Sequence, residues 1–379
     1  MIKFNNQIYN NDFKKFLYKN YNNISFIGNS KFTCLAEKKL EKIYKGSKVL
    51  LTTSCTHALE MSALLANISK NDEVLIPSFT FTSTANAFLL RGAKITFVDS
   101  SSKSPNMCSK DLEKKISYRS KCVVLVHYGG TLIDIEHILF LKKKYNFLLI
   151  EDAAQSIGSY YNNKPLGTFG EMGCISFHDT KNLSMGEGGA LIINKKEYYK
   201  RSEIIREKGT NRKDFIDGKV NKYEWVDLGS SFIPSDLLAL LLYHQLKNIK
   251  FINAKRKVIF NSYMNAFIQF NSLKKIQLPR IERLNSHNAH IFFIVFSKKK
   301  TADNFIEYMR GNKIEVFRHY RSLHNSKFVK KNNLIKSSIC KYSDHYSQCL
   351  VRLPINTLLK KNDIKKIIKC TQKFLNNIY

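Results

Sequence analysis

The stretch Gly173-Cys-Ile-Ser-Phe-His-Asp-Thr-Lys-Asn182, followed by Gly186-Glu-Gly-Gly189, decides the fold of this 379-residue chain. An apolar strand runs out through Ile175 and Phe177, and a turn then presents Lys181 beside glycines, which leave the backbone conformationally free. Upstream, a second predicted strand at residues 147–150 ends in Glu151-Asp-Ala-Ala-Gln155. A carboxylate thus stands at the end of one predicted strand, and a lysine lies beyond the end of another.

Lys181 and Asp152 form the pair of groups that pyridoxal phosphate (PLP) chemistry requires. The amine forms a Schiff base with the cofactor aldehyde, and the carboxylate keeps the pyridine nitrogen protonated so that the ring accepts electrons. An ordinary lysine is protonated and non-nucleophilic at neutral pH, but burial beside a cationic ring lowers its pKa. We therefore predict Lys181 and Asp152 as catalytic residues and PLP as the cofactor.

A possible phosphate site follows the predicted strand at residues 49–52. Ser54 or Thr56 can cap the next helix, whose first-turn amides then point at whatever lies above the strand end. Any strand–turn–helix unit with a Ser or Thr cap has this pattern, so ordinary capping is the alternative. Phe81, at the mouth of the next loop, either lies against a cofactor ring or belongs to the core.

The alternation of short β-rich runs with helices up to residue 247 predicts an α/β fold, with a mostly parallel sheet between helices. Ligands of such sheets gather at the carboxyl ends of the strands, so one site can collect Ser54, Phe81, His127, Asp152 and Lys181. Within this part we predict a strand at residues 73–77, a helix at residues 135–145, a polar loop at residues 210–223, and Ser235-Asp236 as the cap of an apolar helix at residues 237–246. Beyond residue 247 the pattern changes, and a strand is predicted at residues 289–296. We predict a large PLP-binding domain with an N-terminal arm at residues 1–247 and a smaller α+β domain at residues 248–379.

The composition, with 44% apolar and 12% aromatic residues, is that of a folded globular protein. Eight cysteines without a CxxC pair indicate free thiols in a reducing cytoplasm rather than a disulfide framework or a metal site. The start lacks a signal peptide, and the apolar runs are too short to cross a bilayer. We expect a cytoplasmic protein that neither inserts into a membrane nor binds a metal.

The net charge of +32 has two interpretations. It can serve a polyanionic partner, or it can reflect a lysine-rich bias on solvated surfaces, because the lysines are spread along the whole chain. The same positive electrostatic potential would also attract a nucleotide-linked substrate, which carries negatively charged phosphates. The sequence contains nothing like a helix-turn-helix or zinc module, so we predict no nucleic-acid partner.

Several segments together resemble the DegT/StrS-type sugar aminotransferases, which are fold-type I PLP enzymes. The resemblance runs from about residue 25 to the C-terminus. It rests on the following segments: Ser54-Cys-Thr-His-Ala-Leu-Glu-Met, Pro77-Ser-Phe-Thr-Phe-Thr-Ser-Thr-Ala-Asn86, Val98-Asp99, Glu151-Asp-Ala-Ala-Gln155 and Ser176-Phe-His-Asp-Thr-Lys-Asn182. Two further segments, Arg206–Arg212 and Lys222–Ser231, narrow the resemblance to the branch that makes dTDP-4-amino-4,6-dideoxygalactose.

The resemblance implies a role for each site residue. Lys181 carries the cofactor and then shuttles a proton, and Asp152 pairs with the ring nitrogen. Gln155 lies beside the ring hydroxyl, and Phe81 stacks on the ring. The amides of Cys55 and Thr56 and the hydroxyl of Ser176 hold the phosphate. His324 either lines the sugar pocket or lies on the surface.

One departure from the family pattern concerns the partner subunit. Most members carry an Asn-Tyr-Arg run after the Leu-Gly at residues 228–229, and that Asn reaches the partner's cofactor phosphate. Here the run reads Ser230-Ser-Phe-Ile, so Ser231 would have to take this role. The family implies a homodimer with shared active sites.

The resemblance also implies the reaction. An amino group would pass from L-glutamate to the 4-keto carbon of a dTDP-linked 6-deoxyhexose for surface polysaccharide (O-antigen type) synthesis. A transaminase for another nucleotide-linked ketosugar, with UDP or a C3 ketone, is the close alternative. A non-catalytic regulatory or nucleic-acid-binding relative is a more distant one. A sugar dehydratase is disfavoured, because that branch replaces the Schiff-base lysine with histidine.

Overall fold

A computed structural model of the protein describes residues 1–5, 11–282, 285–332, 334–336 and 338–377. The helices are α1 Asn11–Asn20, α2 Lys31–Ile43, α3 Cys55–Leu65, α4 Ser83–Leu89, α5 Ser109–Lys115, α6 Ile135–Tyr145, α7 Tyr199–Arg206, α8 Arg212–Ile216, α9 Asp236–Lys247, α10 Ile249–Ser272, α11 Lys299–Gly311, α12 Lys341–Cys349 and α13 Lys361–Asn377.

The strands are β1 Lys48–Thr52, β2 Glu73–Pro77, β3 Lys94–Val98, β4 Ser100–Ser101, β5 Ser104–Met107, β6 Ser120–Val126, β7 Leu148–Asp152, β8 Tyr160–Tyr161, β9 Lys164–Pro165, β10 Met172–Ser176, β11 Gly189–Ile193, β12 Ile276–Gln277, β13 Asn285–Ser286, β14 Phe292–Phe296, β15 Phe317–Arg318, β16 Ile335–Lys336 and β17 Leu350–Leu353.

The largest sheet has eight strands in the order β1-β11-β10-β7-β6-β2-β3-β16. The pairs from β10 to β16 along this order are parallel, and β11 alone runs antiparallel to its neighbours β1 and β10. The carboxyl ends of β1, β2, β6, β7 and β10 therefore meet at one edge. The α/β fold with a mostly parallel sheet, predicted from the sequence, is confirmed.

Both faces of this sheet are buried, which explains its continuous apolar strands. Along β1, Leu50 belongs to the core on one face, whereas Val49 and Leu51 pack into the core on the other face. Along β6, Val124 faces one core and Val123 and Leu125 face the other. Successive side chains of a strand point to opposite faces, so a sheet between two helical layers requires apolar residues at every position.

A second, antiparallel sheet has four strands in the order β12-β14-β17-β15. Its apolar core is formed with α10, α11 and α13 and is distinct from the cores of the large sheet. Strand pairs and bridges cross the proposed division at residues 247/248, among them β16 with β3, β13 with β8, and Ile2 with Ile314. The division itself stays a prediction from the sequence pattern.

Some local predictions need correction. The segment at residues 210–223, predicted as a polar loop, contains the short helix α8, and the strand predicted at residues 289–296 begins only at Phe292. Asp236, predicted to cap α9, instead accepts hydrogen bonds from Phe32 N (3.2 Å), Thr33 N (2.7 Å) and Thr33 Oγ1 (2.9 Å) at the start of α2. Tertiary packing of α2 against α9 supplies a partner that the local sequence does not reveal.

No helix within the described ranges is long and apolar enough to cross a membrane. The eight cysteines are free thiols. In the same described part of the chain, no group of three or more His, Cys, Asp or Glu side chains is placed to hold a metal ion.

Candidate active site

A cavity of about 630 Å³ opens at the carboxyl-end edge of the large sheet. Its volume falls within the range of pockets that take cofactors and small substrates. Most of the residues predicted for the site line it: Ser54, Cys55, Thr56, Phe81, Asp152, Gln155, Ser176 and Lys181. These residues come from turns after β1, β2, β7 and β10 and meet because parallel strands end at the same edge.

Lys181 lies in a turn after β10 that is fixed to the second sheet. The side chain of its neighbour Asn182 donates to Asn288 O (2.9 Å) and Asn253 Oδ1 (3.0 Å), and its Oδ1 pairs with His290 Nδ1 (2.9 Å). Burial lowers the pKa of the Lys181 amine, and the carboxylate of Asp152 opposes this shift. A lowered pKa leaves more of the amine neutral and nucleophilic at a given pH.

Asp152, at the end of β7, is buried and held by hydrogen bonds. Thr84 Oγ1 donates to one carboxylate oxygen at 2.7 Å, and Ala154 N donates to the other at 3.2 Å. Burial raises the pKa of the carboxyl group, while the bonds from Thr84 and Ala154 lower it. A cation placed in the cavity against this carboxylate would stabilise its charged form.

The start of α3 forms a cradle for an anion beside Lys181. Ser54 is the N-cap: its backbone is extended and its hydroxyl accepts a hydrogen bond from His57 N at 3.1 Å. β11 passes so close to this turn that a Cβ built at Gly189 would lie 2.4 Å from Cys55 N. Cys55, Thr56 and Ser176 line the cavity here, and the first amides of a helix have no partner within the helix.

Gln155 and Phe81 both contact Tyr320, which the sequence did not single out. Gln155 accepts from Gly129 N at 2.7 Å and donates to Tyr320 Oη at 3.0 Å, so its amide is fixed. The Phe81 ring lies 6.2 Å from the Tyr320 ring, with 56% of the residue exposed. Tyr320 has φ +47°, in the left-handed region that bulky side chains rarely adopt.

Three predicted residues lie elsewhere. The side chain of His127 is buried and bonds through Nε2 to Glu151 at 2.7 Å instead of facing the cavity. His324 is also outside the lining, because its ring is held between Ser78 Oγ (2.6 Å) and Asp344 Oδ2 (3.4 Å). Ser231 is exposed and bridges to Glu207, away from the cavity of its own chain.

The second sheet and its flanking segments supply lining residues that sequence reasoning missed, namely His290, His319, Tyr320, Arg256 and Arg352. One pattern could have revealed one of them. Arg352 interrupts the apolar run of β17, Leu350-Val-Arg-Leu353, and a charged residue in a buried strand is uncommon unless it has a partner or a task.

Residues 21–372 match the DegT/DnrJ/EryC1/StrS aminotransferase family. The chain belongs to this family. As a member of this family it is a PLP-dependent aminotransferase, and PLP is its cofactor, as the sequence predicted.

Among curated relatives of this DegT-family aminotransferase is the GDP-perosamine synthase of Escherichia coli O157:H7, 33% identical over 58% of this chain and 59% of the relative. Another is the UDP-4-amino-4,6-dideoxy-N-acetyl-beta-L-altrosamine transaminase of Campylobacter jejuni, 28% identical over 82% of this chain and 81% of the relative. A solved structure, the PLP form of the putative sugar aminotransferase Spr1654 from Streptococcus pneumoniae, has a TM-score of 0.89 at 19% identity and covers 100% of this chain and 99% of that one.

The residues of this aminotransferase fit PLP. The cavity is lined by a partly buried lysine with a lowered pKa, a buried carboxylate and a helix N-terminus. These match the aldehyde, the ring nitrogen and the phosphate of the cofactor, respectively. The PLP-dependent transferase fold, with its large α/β part and mostly parallel sheet, agrees with the solved neighbour.

Proposed function

We propose that the protein transfers an amino group from L-glutamate to the 4-keto carbon of dTDP-4-keto-6-deoxy-D-glucose. The product would be dTDP-4-amino-4,6-dideoxy-D-galactose, used for surface polysaccharide synthesis. The observation that carries the reaction class is the placement of Lys181 and Asp152 in one enclosed cavity. The dTDP sugar is supported by the segments at residues 206–212 and 222–231.

The relatives bear on the substrate class. The names of the two curated relatives contain GDP- and UDP-linked sugars, and one of them is a 4-amino-4,6-dideoxy sugar. A nucleotide-linked ketosugar is therefore the substrate class that we propose, with amination at C4. A UDP-linked or C3-keto sugar is the alternative within that class.

The predicted site residues that line the cavity each have a proposed task in this reaction. Bound PLP supplies an electron sink that stabilises negative charge on the carbon that loses its proton. Asp152, oriented by Thr84, holds a proton on the ring nitrogen. The neutral amine of Lys181 takes the proton from the substrate carbon and returns it at the position that completes transfer. The amides of Cys55 and Thr56 and the Ser176 hydroxyl bind the phosphate.

Two further predicted residues, Gln155 and Phe81, position the cofactor. Gln155, itself fixed by Gly129 and Tyr320, presents its amide where the ring hydroxyl would lie. Phe81 offers an aromatic face from the loop after β2. Because His324 is held between Ser78 and Asp344, we assign it to the support of residues 323–325 and not to the sugar pocket.

We also propose a homodimer with shared active sites. Apolar side chains are exposed on the segment that precedes Ser231: Phe215, Ile216, Tyr223, Trp225, Val226 and Leu228. A second copy covering this segment would bury these side chains. It would also bring Ser231 near a cavity other than its own.

The test is turnover with a panel of ketosugars. Purified protein with PLP and L-glutamate is incubated with dTDP- and UDP-linked 3-keto and 4-keto sugars, and mass spectrometry detects the amine. We expect the amine from dTDP-4-keto-6-deoxyglucose. Turnover of a UDP sugar alone would overturn the dTDP proposal, and absence of turnover with every sugar of the panel would exclude dTDP- and UDP-linked ketosugars as substrates.

A further inference from the structure

Arg352 is a partly buried cation in the wall of the candidate catalytic cavity. It lies on β17, between Val351 and Leu353, both of which are fully buried in the second core. Its side chain lines the same cavity as Lys181 and keeps some exposure to that space, whereas its Nε atom is buried. The arginine is therefore held by the sheet and presented to the substrate space.

Its charge has no counter-charge within the described residues. Nη2 donates to Arg318 O at 3.2 Å, and the guanidinium lies 4.7 Å from the Phe4 ring. Nε has no hydrogen-bond partner in that part of the chain, and no described carboxylate forms an ion pair with the group. An unpaired buried charge is costly, so retention of an arginine here indicates an anion that arrives with a ligand.

The second arginine that lines the cavity already has hydrogen-bond partners. Arg256, on α10, donates through Nε to Ala289 O (3.1 Å) and through Nη2 to His290 O (2.5 Å). Burial lowers the pKa of Arg256 to about 9. It fixes the segment before β14, whereas Arg352 has donors to spare.

Four anionic groups enter this cavity in the proposed reaction: the cofactor phosphate, the diphosphate of the nucleotide sugar, and the α- and γ-carboxylates of L-glutamate. The γ-carboxylate is two methylene groups farther from the reacting carbon than the α-carboxylate. The cofactor phosphate has its cradle at the start of α3, with Ser176, on the large sheet. The diphosphate of the nucleotide sugar is attached across the sugar ring from the reacting C4. The α-carboxylate of the amino donor is bonded directly to the carbon that must face Lys181. The charge of Arg352 contributes to the lowered pKa of Lys181, so the two side chains lie within electrostatic range of each other.

We propose that Arg352 binds the α-carboxylate of the amino donor through its planar guanidinium. This proposal rests on the proposed aminotransferase reaction with an amino acid donor. Guanidinium and carboxylate match in a two-bond arrangement that a lysine cannot reproduce. The Phe4 ring, stacked over the guanidinium, restricts the motion of the arginine before the donor arrives.

The experiment measures the two half-reactions separately in Arg352→Gln. Stopped-flow absorbance follows conversion of the PLP form by L-glutamate and, independently, by the amino sugar product, which has no carboxylate. We expect the dissociation constant for L-glutamate to rise about 10- to 100-fold, as for loss of a charge-assisted hydrogen-bond pair. The amino sugar half-reaction should change by less than about threefold. Arg352→Lys should recover part of the glutamate affinity.

The donor itself provides a matched test. The α-amide of glutamate, which has a neutral group in place of the α-carboxylate, should bind about 10- to 100-fold more weakly than glutamate to the parent protein. In Arg352→Gln, by contrast, the α-amide and glutamate should bind with about equal affinity. Calorimetric titration with glutarate, which cannot react, gives the same comparison without turnover. Arg310→Gln removes an exposed arginine on α11 and serves as the control for loss of charge.

The outcomes separate this proposal from the proposed function. If both half-reactions weaken equally in Arg352→Gln while Arg352→Lys and the melting temperature remain normal, the arginine does not select the donor. If glutamate affinity is unchanged, the proposal is wrong although aminotransfer stands. If the parent protein converts no ketosugar, the proposed substrate fails, and the glutamate half-reaction still decides the role of Arg352.

Discussion

At the level of single residues, the proposed reaction depends on Lys181 and Asp152. Lys181→Ala removes the amine that binds the cofactor and moves the proton, so activity should fall by about 10⁴-fold or more. Asp152→Asn keeps the shape but removes the charge opposite the ring nitrogen, and a loss on the order of 10²- to 10³-fold is expected. Initial rates under PLP saturation measure both, with exposed Lys196→Ala as the control. Turnover by Lys181→Ala near the parent rate would contradict the assignment.

The pKa of Lys181 should respond in opposite directions to its two charged neighbours. Asp152 raises this pKa and Arg352 lowers it, on top of the larger lowering by burial from the ordinary 10.5. An amine-reactive reagent modifies only the neutral amine, so mass spectrometry of the Lys181 peptide in cofactor-free protein gives the labelling midpoint against pH. The midpoint should lie below that of exposed lysines, move down in Asp152→Asn and move up in Arg352→Gln. Shifts of equal sign would show that the charges do not act directly.

The sequence predicted the lysine and carboxylate because each follows a strand and belongs to a local motif. Arg352, Tyr320 and His290 were missed because they reach the cavity from the second sheet, far along the chain. Their approach depends on packing between sheets, which no local spacing encodes. The sequence left two positions open for His324, and the structure holds its ring between Ser78 and Asp344, contacts that no local pattern indicates.

At the level of elements, the joint between α2 and α9 depends on one carboxylate. Asp236 is fully buried and accepts three hydrogen bonds from Phe32 and Thr33 at the start of α2. Asp236→Ala would leave these donors buried without partners and should lower the free energy of unfolding by about 2–4 kcal/mol. Ser235→Ala is the matched control, because this N-cap residue of α9 makes no side-chain cap bond, and it should cost about 0.5 kcal/mol or less. Denaturant titration measures both, and equal losses would refute the assignment of the cap.

Most individual elements could be predicted because their patterns are local. β2 and α6 have the predicted bounds, Glu73–Pro77 and Ile135–Tyr145. The segment at residues 210–223 was predicted as a loop because α8 is short and largely polar, which gives periodicity little to detect. The cap of α2 could not be predicted, since its acceptor lies about 200 residues away in the chain.

At the level of the whole molecule, alternating strands and helices predicted a parallel sheet, but not its order. The antiparallel position of β11 between β1 and β10 places Gly189 against the start of α3, and the phosphate cradle depends on that contact. The strand β16 joins the edge of the sheet from a distant part of the chain. Such pairings are set by packing of the whole fold, and no local sequence pattern reveals them.

The proposed dimer can be followed through the single tryptophan of the chain. Trp225 is 77% exposed in the isolated subunit and lies on the apolar segment assigned to the interface. Leu228→Asp, on the same segment, would place a charge where a second copy packs, and the dimer dissociation constant should rise about 100-fold or more. Sedimentation gives the mass, and the Trp225 emission should shift to longer wavelength as the interface opens. Tyr118→Asp, at a residue that is 91% exposed and outside this segment, is the control and should leave the dimer intact. A parent protein that is monomeric at micromolar concentration, or a Leu228→Asp variant that stays dimeric, would remove this segment from the interface and leave Ser231 without a partner site.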